Sequence, residues 1–267
     1  MSIQTQNTRP VGEMLRTWRQ RRRLSQLAFA CDAEISARHL SFLETGRARP
    51  SREMLLHLAE RLDMPFRERN ELLLAAGFAP VYSETGIDNP SPDALAARRA
   101  VDLVLASHEP FPAIAVDRYW DLVAGNAALP LFLAGIPDEL LVPPVNVLRL
   151  SLHPDGLAGR IQNLAEWRAH VFERLERQIE FTNDEKLAAL LEELRSFPGG
   201  SRTAKPHQEY GGLIVPLRIS SDAGTLSFFT ATTVFGTAID ITFSELVIET
   251  FMPADDFTAT TVRALAG

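Results

Sequence analysis

One stretch of the chain spaces acidic and histidine side chains as a metal site would. Glu166, His170 and Glu173 follow one another at intervals of four and three residues, which places them on one face of a helix. Imidazole and carboxylate groups on a shared face can ligate a metal ion. Because Arg168 and Arg174 are neighbours, the same spacing is also typical of an exposed helix face with salt bridges. We favour the exposed face and predict no metal.

Sequence motifs of catalysis are absent. The chain has no Gly-rich nucleotide loop, no G-x-S-x-G turn and no HExxH segment. Its one cysteine, Cys31, has no histidine at a spacing that implies a thiol dyad, and one cysteine excludes an internal disulfide. His153 and Asp155 suggest acid–base work, but the run HPDG is more simply a turn. We therefore predict that the protein is not an enzyme.

Arginine is concentrated near the beginning of the chain. Residues 1–80 contain 13 Arg, no Lys and 9 acidic residues, whereas residues 81–267 contain 14 basic and 25 acidic residues. The first part therefore has a net charge of +4 and the second −11, which together give the −7 of the whole chain. A basic segment on an acidic body is expected when one end of a protein meets a polyanion. The alternative is scatter among surface charges.

The first 80 residues predict five short helices. Ser25, Ser36 and Ser51 are of the residue type that caps helix N-termini. Pro65 begins the fifth helix, and Gly46 suits the left-handed conformation that follows a helix C-terminus. The predicted helices cover residues 11–22, 25–30, 36–46, 52–62 and 65–77. Because about four residues join the second helix to the third, this pair forms a helix-turn-helix unit.

The chain here resembles the N-terminal domain of XRE-type regulators, the group of the lambda and 434 repressors, in the run LSQLAFACDAEISARHLSFLETGRARPSREMLLHLAERLDMP. The matching features are Ser25-Gln26, the segment Leu43-Glu44-Thr45-Gly46 and the basic turn that follows. The family usually has Ala or Gly near Cys31-Asp32, so the turn departs from the pattern. The resemblance covers residues 11–80 and implies double-stranded DNA as the partner, with the third helix in the major groove.

The resemblance assigns DNA-contacting roles around the third helix. Gln26 matches the phosphate-contacting glutamine of the family, at a helix start that suits an anion. Arg38 is the strongest candidate for base reading, because a guanidinium can hold guanine O6 and N7 with two hydrogen bonds. Phe42 replaces a commonly polar position and either touches a thymine methyl or packs under the helix. The other expected contacts are Ser36, Ala37, Ser41, Arg47 and Arg49, with Arg21, Arg22 and Arg23 as further phosphate candidates.

Arg19 and Glu44 match an ion pair that ties the first helix of the repressors to the end of the third. We therefore predict a structural role for Arg19 and no DNA contact. Its removal would leave a partly buried carboxylate without its partner, which costs stability.

The rest of the chain predicts a linker and a mixed domain. The run YSETGIDNPSP concentrates turn formers and proline, which indicates a linker at residues 81–92. Residues 93–267 then predict helices at 93–107, 161–181 and 184–195, a helix capped by Asn126 and strands at 112–117 and 120–124. The runs LIVPLRI, which starts at Leu213, TLSFFTATTVF and ITFSELVIETF predict three more strands. The predicted fold is an all-α domain over residues 1–80, followed by an α/β (α+β) domain with a mainly antiparallel five-stranded sheet and helices on one side.

This second region resembles the MmyB-like ligand-binding domain found behind XRE domains, whose fold is PAS-like. The resemblance lies in HEPFPAIAVDRYWDLVAGNAA, NVLRLSLHPDGLAGRIQNLAEW and FGTAIDITFSELVIETFMPAD and covers residues 93–267. It implies a transcription regulator whose second domain receives a small, largely apolar molecule, with fatty acids as the suggested class and no other cofactor.

Candidates for the ligand pocket are mostly apolar, because ligand cavities have few polar groups. The alternative is that these residues fill the core, since a sheet packed under helices needs aromatic residues in any case. The apolar candidates are Tyr119, Trp120, Phe132, Leu148, Trp167, Phe172, Phe228 and Phe235. The polar candidates for a carboxylate head are Arg149, His153, Arg160 and Asn163, and capping or turn roles are their alternative.

The sequence predicts a homodimer, because one such DNA-binding domain reads only a half-site. It also predicts a cytoplasmic protein, because the first residues, MSIQTQNTRP, lack the apolar core of a secretory signal. No membrane span is expected, since the two longest uncharged stretches are interrupted by Gly, Pro, Asn or Thr. In one alternative, the second domain serves only dimerisation or protein interaction and DNA binding is constitutive. In another, the second domain is an enzyme with its own regulatory domain, which the spacing of polar residues does not favour.

Overall fold

The computed structural model describes residues 10–199, 214–236 and 240–266. The chain forms two compact units, which we call the helical unit and the sheet unit. They divide in the sequence between Thr85 and Gly86, and residues 240–241 group with the helical unit. Several predicted positions lie outside the described residues: residues 1–9 of the first domain, Leu213 of the run LIVPLRI, and residues 237–239 of the run FGTAID.

Local hydrogen bonds set the starts of the helices in the helical unit. The hydroxyl groups of Ser25, Ser36 and Ser51 each accept a hydrogen bond from the backbone N–H three residues later, which is N-cap geometry. Gly46 adopts a φ of +71° after the third helix, a conformation that glycine takes without steric cost. The helices are α1 Val11–Arg21, α2 Gln26–Asp32, α3 Ala37–Glu44, α4 Arg52–Arg61 and α5 Phe66–Ala75.

One apolar core holds the helices of the helical unit together. Leu15, Leu40 and Leu58 are fully buried in it, and burial of each such side chain contributes about 1.5–3 kcal/mol. α1 approaches α3 most closely at Gly12, where a Cβ atom would lie 2.4 Å from the carbonyl oxygen of Leu43. The backbone contact at this position therefore excludes a side chain.

The sheet unit is built on a five-stranded sheet whose neighbouring strands are all antiparallel, in the order β2-β1-β5-β4-β3. The strands are β1 Ala113–Val116, β2 Leu122–Gly125, β3 Leu217–Ser221, β4 Gly224–Val234 and β5 Val247–Pro253. The helices are α6 Pro92–Ser107, α7 Pro130–Leu133, α8 Val147–Leu152, α9 Leu164–Thr182, α10 Glu185–Ser196, α11 Ile241–Ser244 and α12 Asp256–Ala266, with a 3-10 turn at Asp138–Leu141. This arrangement confirms the predicted fold class.

Helices cover both faces of the sheet, so the prediction of helices on one side was wrong. Ile114 and Val116 belong to the larger core, which they share with α8, α9 and α10. Ala113 and Ala115 point the other way and pack in a smaller core with Val101 and other residues of α6. The physical reason is that β1 is apolar at every position and is buried on both faces, as strands covered on two sides are.

Two predicted elements have different boundaries, because Ile161 pairs with the sheet and residues 241–244 lie beyond it. Ile161 does not begin the long helix: it pairs with Ile219 beside β3, and α9 starts at Leu164. The segment ITFS is the helix α11 and not a strand. Since Val234, the last residue of β4, pairs with Val247, residues 241–244 lie beyond the end of the neighbouring strand. The prediction also missed α8 and α12.

Asn126 does not cap a helix, which corrects another prediction. Its side chain is buried, its Oδ1 accepts a hydrogen bond from the N–H of Ala113, and its Nδ2 donates to the carbonyl oxygens of Leu105 and Phe111. These bonds connect β1, the end of α6 and the turn after β2. α7 starts later, at Pro130, without a side-chain cap.

Candidate functional site

The outward side of α3 carries the side chains that the sequence assigns to DNA. Leu40 and Leu43 of α3 are buried in the helical core, whereas Arg38 is exposed. Ser41 and Phe42 are partly exposed, and the guanidinium of Arg38 lies 5.4 Å from the centre of the Phe42 ring. We call Arg38, Ser41 and Phe42 the α3 face. Because Leu40 and Leu43 anchor α3 in the core, the α3 face can enter a DNA groove without repacking of the helical unit.

The remaining predicted DNA-contacting residues flank the α3 face in the sequence. Ser36 is the N-cap of α3, and Ala37 is its first residue and is partly exposed. Arg47 and Arg49 follow α3, and both are exposed. Basic side chains at exposed positions after a reading helix suit phosphate contacts.

The arginines at the end of α1 have contacts within the helical unit. Arg22 donates hydrogen bonds to the carbonyl oxygens of Leu62 and Asp63. The guanidinium of Arg21 lies 5.0 Å from the centre of the Trp18 ring. Arg23 has a φ of +56° after α1 and is exposed. Of these three arginines, Arg22 is thus fixed to the end of α4.

A buried ion pair connects three helices behind the α3 face. Arg19 Nε donates to Glu44 Oε1 at 2.6 Å, and Arg19 Nη2 donates to Oε2 at 3.0 Å. Gln26 Nε2 donates to the same Oε2 at 2.8 Å, and Arg19 Nη1 donates to the carbonyl oxygen of Leu24. The Glu44 side chain is 1% exposed, so these donors offset the cost of burying its carboxylate. Gln26, the predicted phosphate ligand, is thus oriented by Glu44.

An apolar cavity of about 90 Å³ lies in the sheet unit between the sheet and the helices α7, α8 and α9. Four of the predicted pocket residues line it: Trp120, Phe132, Leu148 and Trp167. The other apolar lining residues are Ile114, Leu122, Leu129, Leu133, Val147, Leu150, Leu157, Leu217 and Phe251. Trp120 has a φ of +68° in the turn before β2; the prediction placed it inside the strand.

The other apolar candidates do not line the cavity. Phe228 is fully buried and packs edge-on against Phe132 and Phe251. Phe235 packs at the smaller core on the opposite face of the sheet. The Tyr119 ring lies beside the cations of Arg118 and Lys186. Phe172 is a partly buried core residue under the guanidinium of Arg168. These side chains have packing roles.

The four polar candidates also lie outside the cavity and do not converge. Arg149 pairs with Glu193 at 2.5 Å, and His153 Nδ1 accepts the N–H of Asp155 in the HPDG turn. Arg160 donates to backbone carbonyl oxygens of residues 131, 132, 134 and 220. Asn163 bonds to Glu166 and to the backbone of residues 216 and 218. A carboxylate head bound by this set has no support in the geometry.

The polar part of the cavity wall consists of residues that were not predicted as ligand contacts: Ser151, His170, Arg174, Thr230 and Glu249. His170 and Arg174 follow Trp167 by three and seven residues, so helical periodicity puts all three on one stripe of α9. That spacing was the available signal. Burial lowers the pKa of His170 below its ordinary value, and the nearby Arg174 adds to this effect, which favours the neutral imidazole.

The candidate metal ligands that the sequence analysis weighed, and did not favour, do not assemble on α9. Glu166 is buried and accepts a hydrogen bond from Asn163, whereas Glu173 is exposed and pairs with Arg177. Within residues 10–199, 214–236 and 240–266, no group of three metal-ligating side chains is found. The alternative of one exposed, salt-bridged face also fails, because Glu166 and Arg168 are buried.

A larger surface groove of about 470 Å³ lies between the turn after β2 and α12. Its lining is mainly small or aliphatic side chains, among them Pro110, Ala127, Ala128 and Val262. Glu109, its one charged lining residue, accepts the N–H of Ala127. We place the candidate ligand site in the smaller cavity, because its exposed lining is mostly apolar and also includes histidine, arginine and hydroxyl side chains.

Comparison with known proteins agrees with the two units. Residues 10–72 match a helix-turn-helix domain, and residues 97–265 match the MmyB-like transcription regulator ligand binding domain. No curated protein matches the chain. None of the described helices is both long and apolar enough to cross a bilayer. Since the second match covers more than half of the chain, the protein belongs to the MmyB-like transcription regulators.

Proposed function

We propose that the chain is a cytoplasmic homodimer that binds a specific operator through two α3 helices and releases or tightens it when a small apolar ligand fills the cavity. The class of DNA-binding transcription regulator with a ligand-binding domain follows from the family. The operator specificity, the dimer and the ligand response are the proposal. Fatty acids are the ligand class that the sequence resemblance implies.

The observation that carries this proposal is the position of Arg38. Its guanidinium is exposed on a helix whose opposite side is fixed by Leu40, Leu43 and the Arg19–Glu44 pair. A guanidinium at this position can read guanine in the major groove. Two such helices about 34 Å apart match two half-sites of a palindromic operator. Gln26, Ser36, Ala37, Ser41 and Phe42 are the further proposed contacts on DNA, with Arg47 and Arg49 on the phosphates.

The lining of the cavity supports binding of an apolar ligand, whereas its volume is small for one. Most of its lining residues are apolar, but about 90 Å³ is less than the roughly 300–1,000 Å³ of typical ligand sites. A ligand of fatty-acid length would therefore have to displace part of the wall. α7 is the candidate part, since this four-residue helix has no side-chain cap.

The small cavity also favours a second candidate function. In this alternative the sheet unit takes no ligand and serves only dimerisation or protein interaction, so operator binding is constitutive. The two functions differ in whether a bound small molecule changes operator affinity.

One set of measurements separates the two functions. An operator is first selected from random DNA duplexes with the purified full-length protein. Native mass spectrometry of the same preparation then gives the oligomer mass and the mass of any copurified molecule. We expect a dimer with a small apolar molecule, and a change in operator affinity after its removal by extraction. A ligand-free dimer with unchanged affinity would leave only the constitutive function, and failure to select any duplex would contradict both.

A further inference from the structure

The cavity wall contains one ion pair and three neutral polar side chains. Arg174 Nη1 donates to Glu249 Oε2 at 3.1 Å, and Arg174 Nη2 donates to Oε1 at 2.5 Å. The Thr232 hydroxyl accepts from Arg174 and donates to Glu249, both at 2.9 Å. The Arg174 guanidinium also lies 4.4 Å from the centre of the Trp120 ring. The charged part of the wall is therefore paired within itself.

A charged ligand would have to compete with this pair. A carboxylate that bound Arg174 would take donors from Glu249, whose side chain is only 5% exposed. A buried carboxylate without its partner is strongly unfavourable. An ammonium that bound Glu249 would in the same way leave Arg174 uncompensated. For both kinds of ion, the energy gained from one wall residue is therefore offset by the cost of breaking the Arg174–Glu249 pair.

The neutral polar groups of the wall remain suited to a ligand. The Ser151 hydroxyl accepts a hydrogen bond from Trp167 Nε1 at 2.8 Å and keeps its own O–H as a donor. Neutral His170 has one donor and one acceptor nitrogen, and its ring lies 5.6 Å from that of Trp167. Thr230 adds a hydroxyl group. Donors and acceptors of this kind match alcohols, amides and esters.

We propose that the cavity takes an apolar ligand with an uncharged, hydrogen-bonding head group and rejects the carboxylate form of the same chain, so that a neutral molecule takes the place of the fatty acids that the sequence resemblance implies. This inference rests on the proposed function, because it concerns the same cavity. The Arg174–Glu249 pair acts as the specificity determinant: it closes the site to ions, and Ser151 and His170 orient the neutral head.

Titration of the full-length protein with matched probes tests the inference. The probes are 1-octanol, octanoate and octylammonium at neutral pH, where the last two are ionised. The three tryptophans are labelled with ¹⁵N and followed through their indole N–H signals. Trp120 and Trp167 line the cavity, and Trp18, in the helical unit, is the internal reference. We expect 1-octanol to shift the Trp120 and Trp167 signals with a Kd at least about tenfold lower than those of both ions.

A pair of variants tests the role of the ion pair itself. Glu249→Gln removes the carboxylate with little change in shape and leaves Arg174 available, so octanoate should bind about tenfold more tightly than to the wild type. Glu193→Gln is the matched control, because it breaks the ion pair of Arg149 and Glu193, which lie outside the cavity. The control should leave the preference for 1-octanol unchanged.

The possible outcomes separate the inference from the proposed function. Octanoate that binds the wild type as tightly as 1-octanol would overturn the inference and leave a ligand-responsive regulator standing. No shift with any probe would also overturn the inference, whereas the ligand response itself is overturned by a ligand-free dimer with unchanged operator affinity. If Glu249→Gln does not fold, the comparison of the three probes on the wild type decides the inference alone.

Discussion

The α3 face and the cavity are two binding surfaces built in opposite ways. The α3 face belongs to one helix of eight residues. The buried side chains that anchor this helix, Leu40 and Leu43, are not the side chains that form the face. The cavity wall comes from strands and helices spread along the sheet unit, and its apolar residues are at the same time core residues. Recognition and stability can therefore be separated by substitution at α3 but not at the apolar residues of the cavity.

Two ion pairs of the same chemistry make this contrast concrete. Arg19–Glu44 and Arg174–Glu249 each join an arginine to a carboxylate through two hydrogen bonds. In the first pair both side chains are almost fully buried, whereas the Arg174 side chain is 30% exposed. The first pair fixes helices behind a surface, and the second forms part of the surface that a ligand would meet.

The largest effect is expected from Arg19→Ala. This change leaves Glu44 buried without its partner, which should lower the free energy of unfolding by about 3–5 kcal/mol. Chemical denaturation followed by circular dichroism measures it. The matched control is Arg177→Ala, which also breaks an arginine–glutamate pair, but at an exposed site where the loss is about 0–1 kcal/mol. Equal losses in the two variants would contradict a structural role for Arg19.

Arg38→Ala should affect DNA recognition and not the fold. Loss of a bidentate contact to guanine removes about 1–3 kcal/mol of discrimination against the wrong base. Fluorescence anisotropy with the selected operator and single-base variants of it measures this loss, and the melting temperature should stay that of the wild type. If Arg38→Ala lowered the melting temperature as much as Arg19→Ala, the separation between reading and supporting residues would be wrong.

A smaller effect is expected from Arg47→Ala. A residue that contacts phosphate adds to affinity for every sequence, so its removal should weaken binding uniformly and reduce the slope of log K against log salt by about one. Arg177→Ala also removes one positive charge, but from the sheet unit, and should leave the slope unchanged. A change in base preference in Arg47→Ala would instead make Arg47 a reading residue.

The smallest effect is expected from His170. Its pKa in the folded protein is lowered from the ordinary value of 6.5 by burial. As the pH falls below about 6.5, the unfolded chain therefore binds a proton more readily than the folded one, and stability decreases. Denaturant unfolding at pH 7 and at lower pH should show a loss in the wild type that is smaller in His170→Gln. The same loss in both proteins would exclude His170 as its source.

Prediction from sequence succeeded where structure depends on near neighbours. The Ser25, Ser36 and Ser51 caps bond within three residues, and a side chain of this type carries the information for its own turn. Prediction failed for Asn126, whose type also suits a cap. Its partners are Leu105, Phe111 and Ala113, and that choice depends on where β1 and α6 meet.

The candidate sites show the same division. The α3 face could be predicted from helical spacing and one resemblance, because its residues lie on successive turns of one helix. In the cavity, helical spacing accounts for Trp167, His170 and Arg174 on one stripe of α9, but nothing in the sequence links them to Glu249. The predicted polar set around Arg149 instead found partners of its own, such as Glu193.

Residue types and spacing were enough to predict the helix starts of the helical unit, the basic segment, the antiparallel sheet and the family. The helices on both faces of the sheet and the ion pair in the cavity wall became visible only in the folded chain. The reason is the range of the interactions. Caps and helical stripes act within a few residues, whereas Arg174 and Glu249 are 75 residues apart and meet only because β5 packs beneath α9 in the folded core.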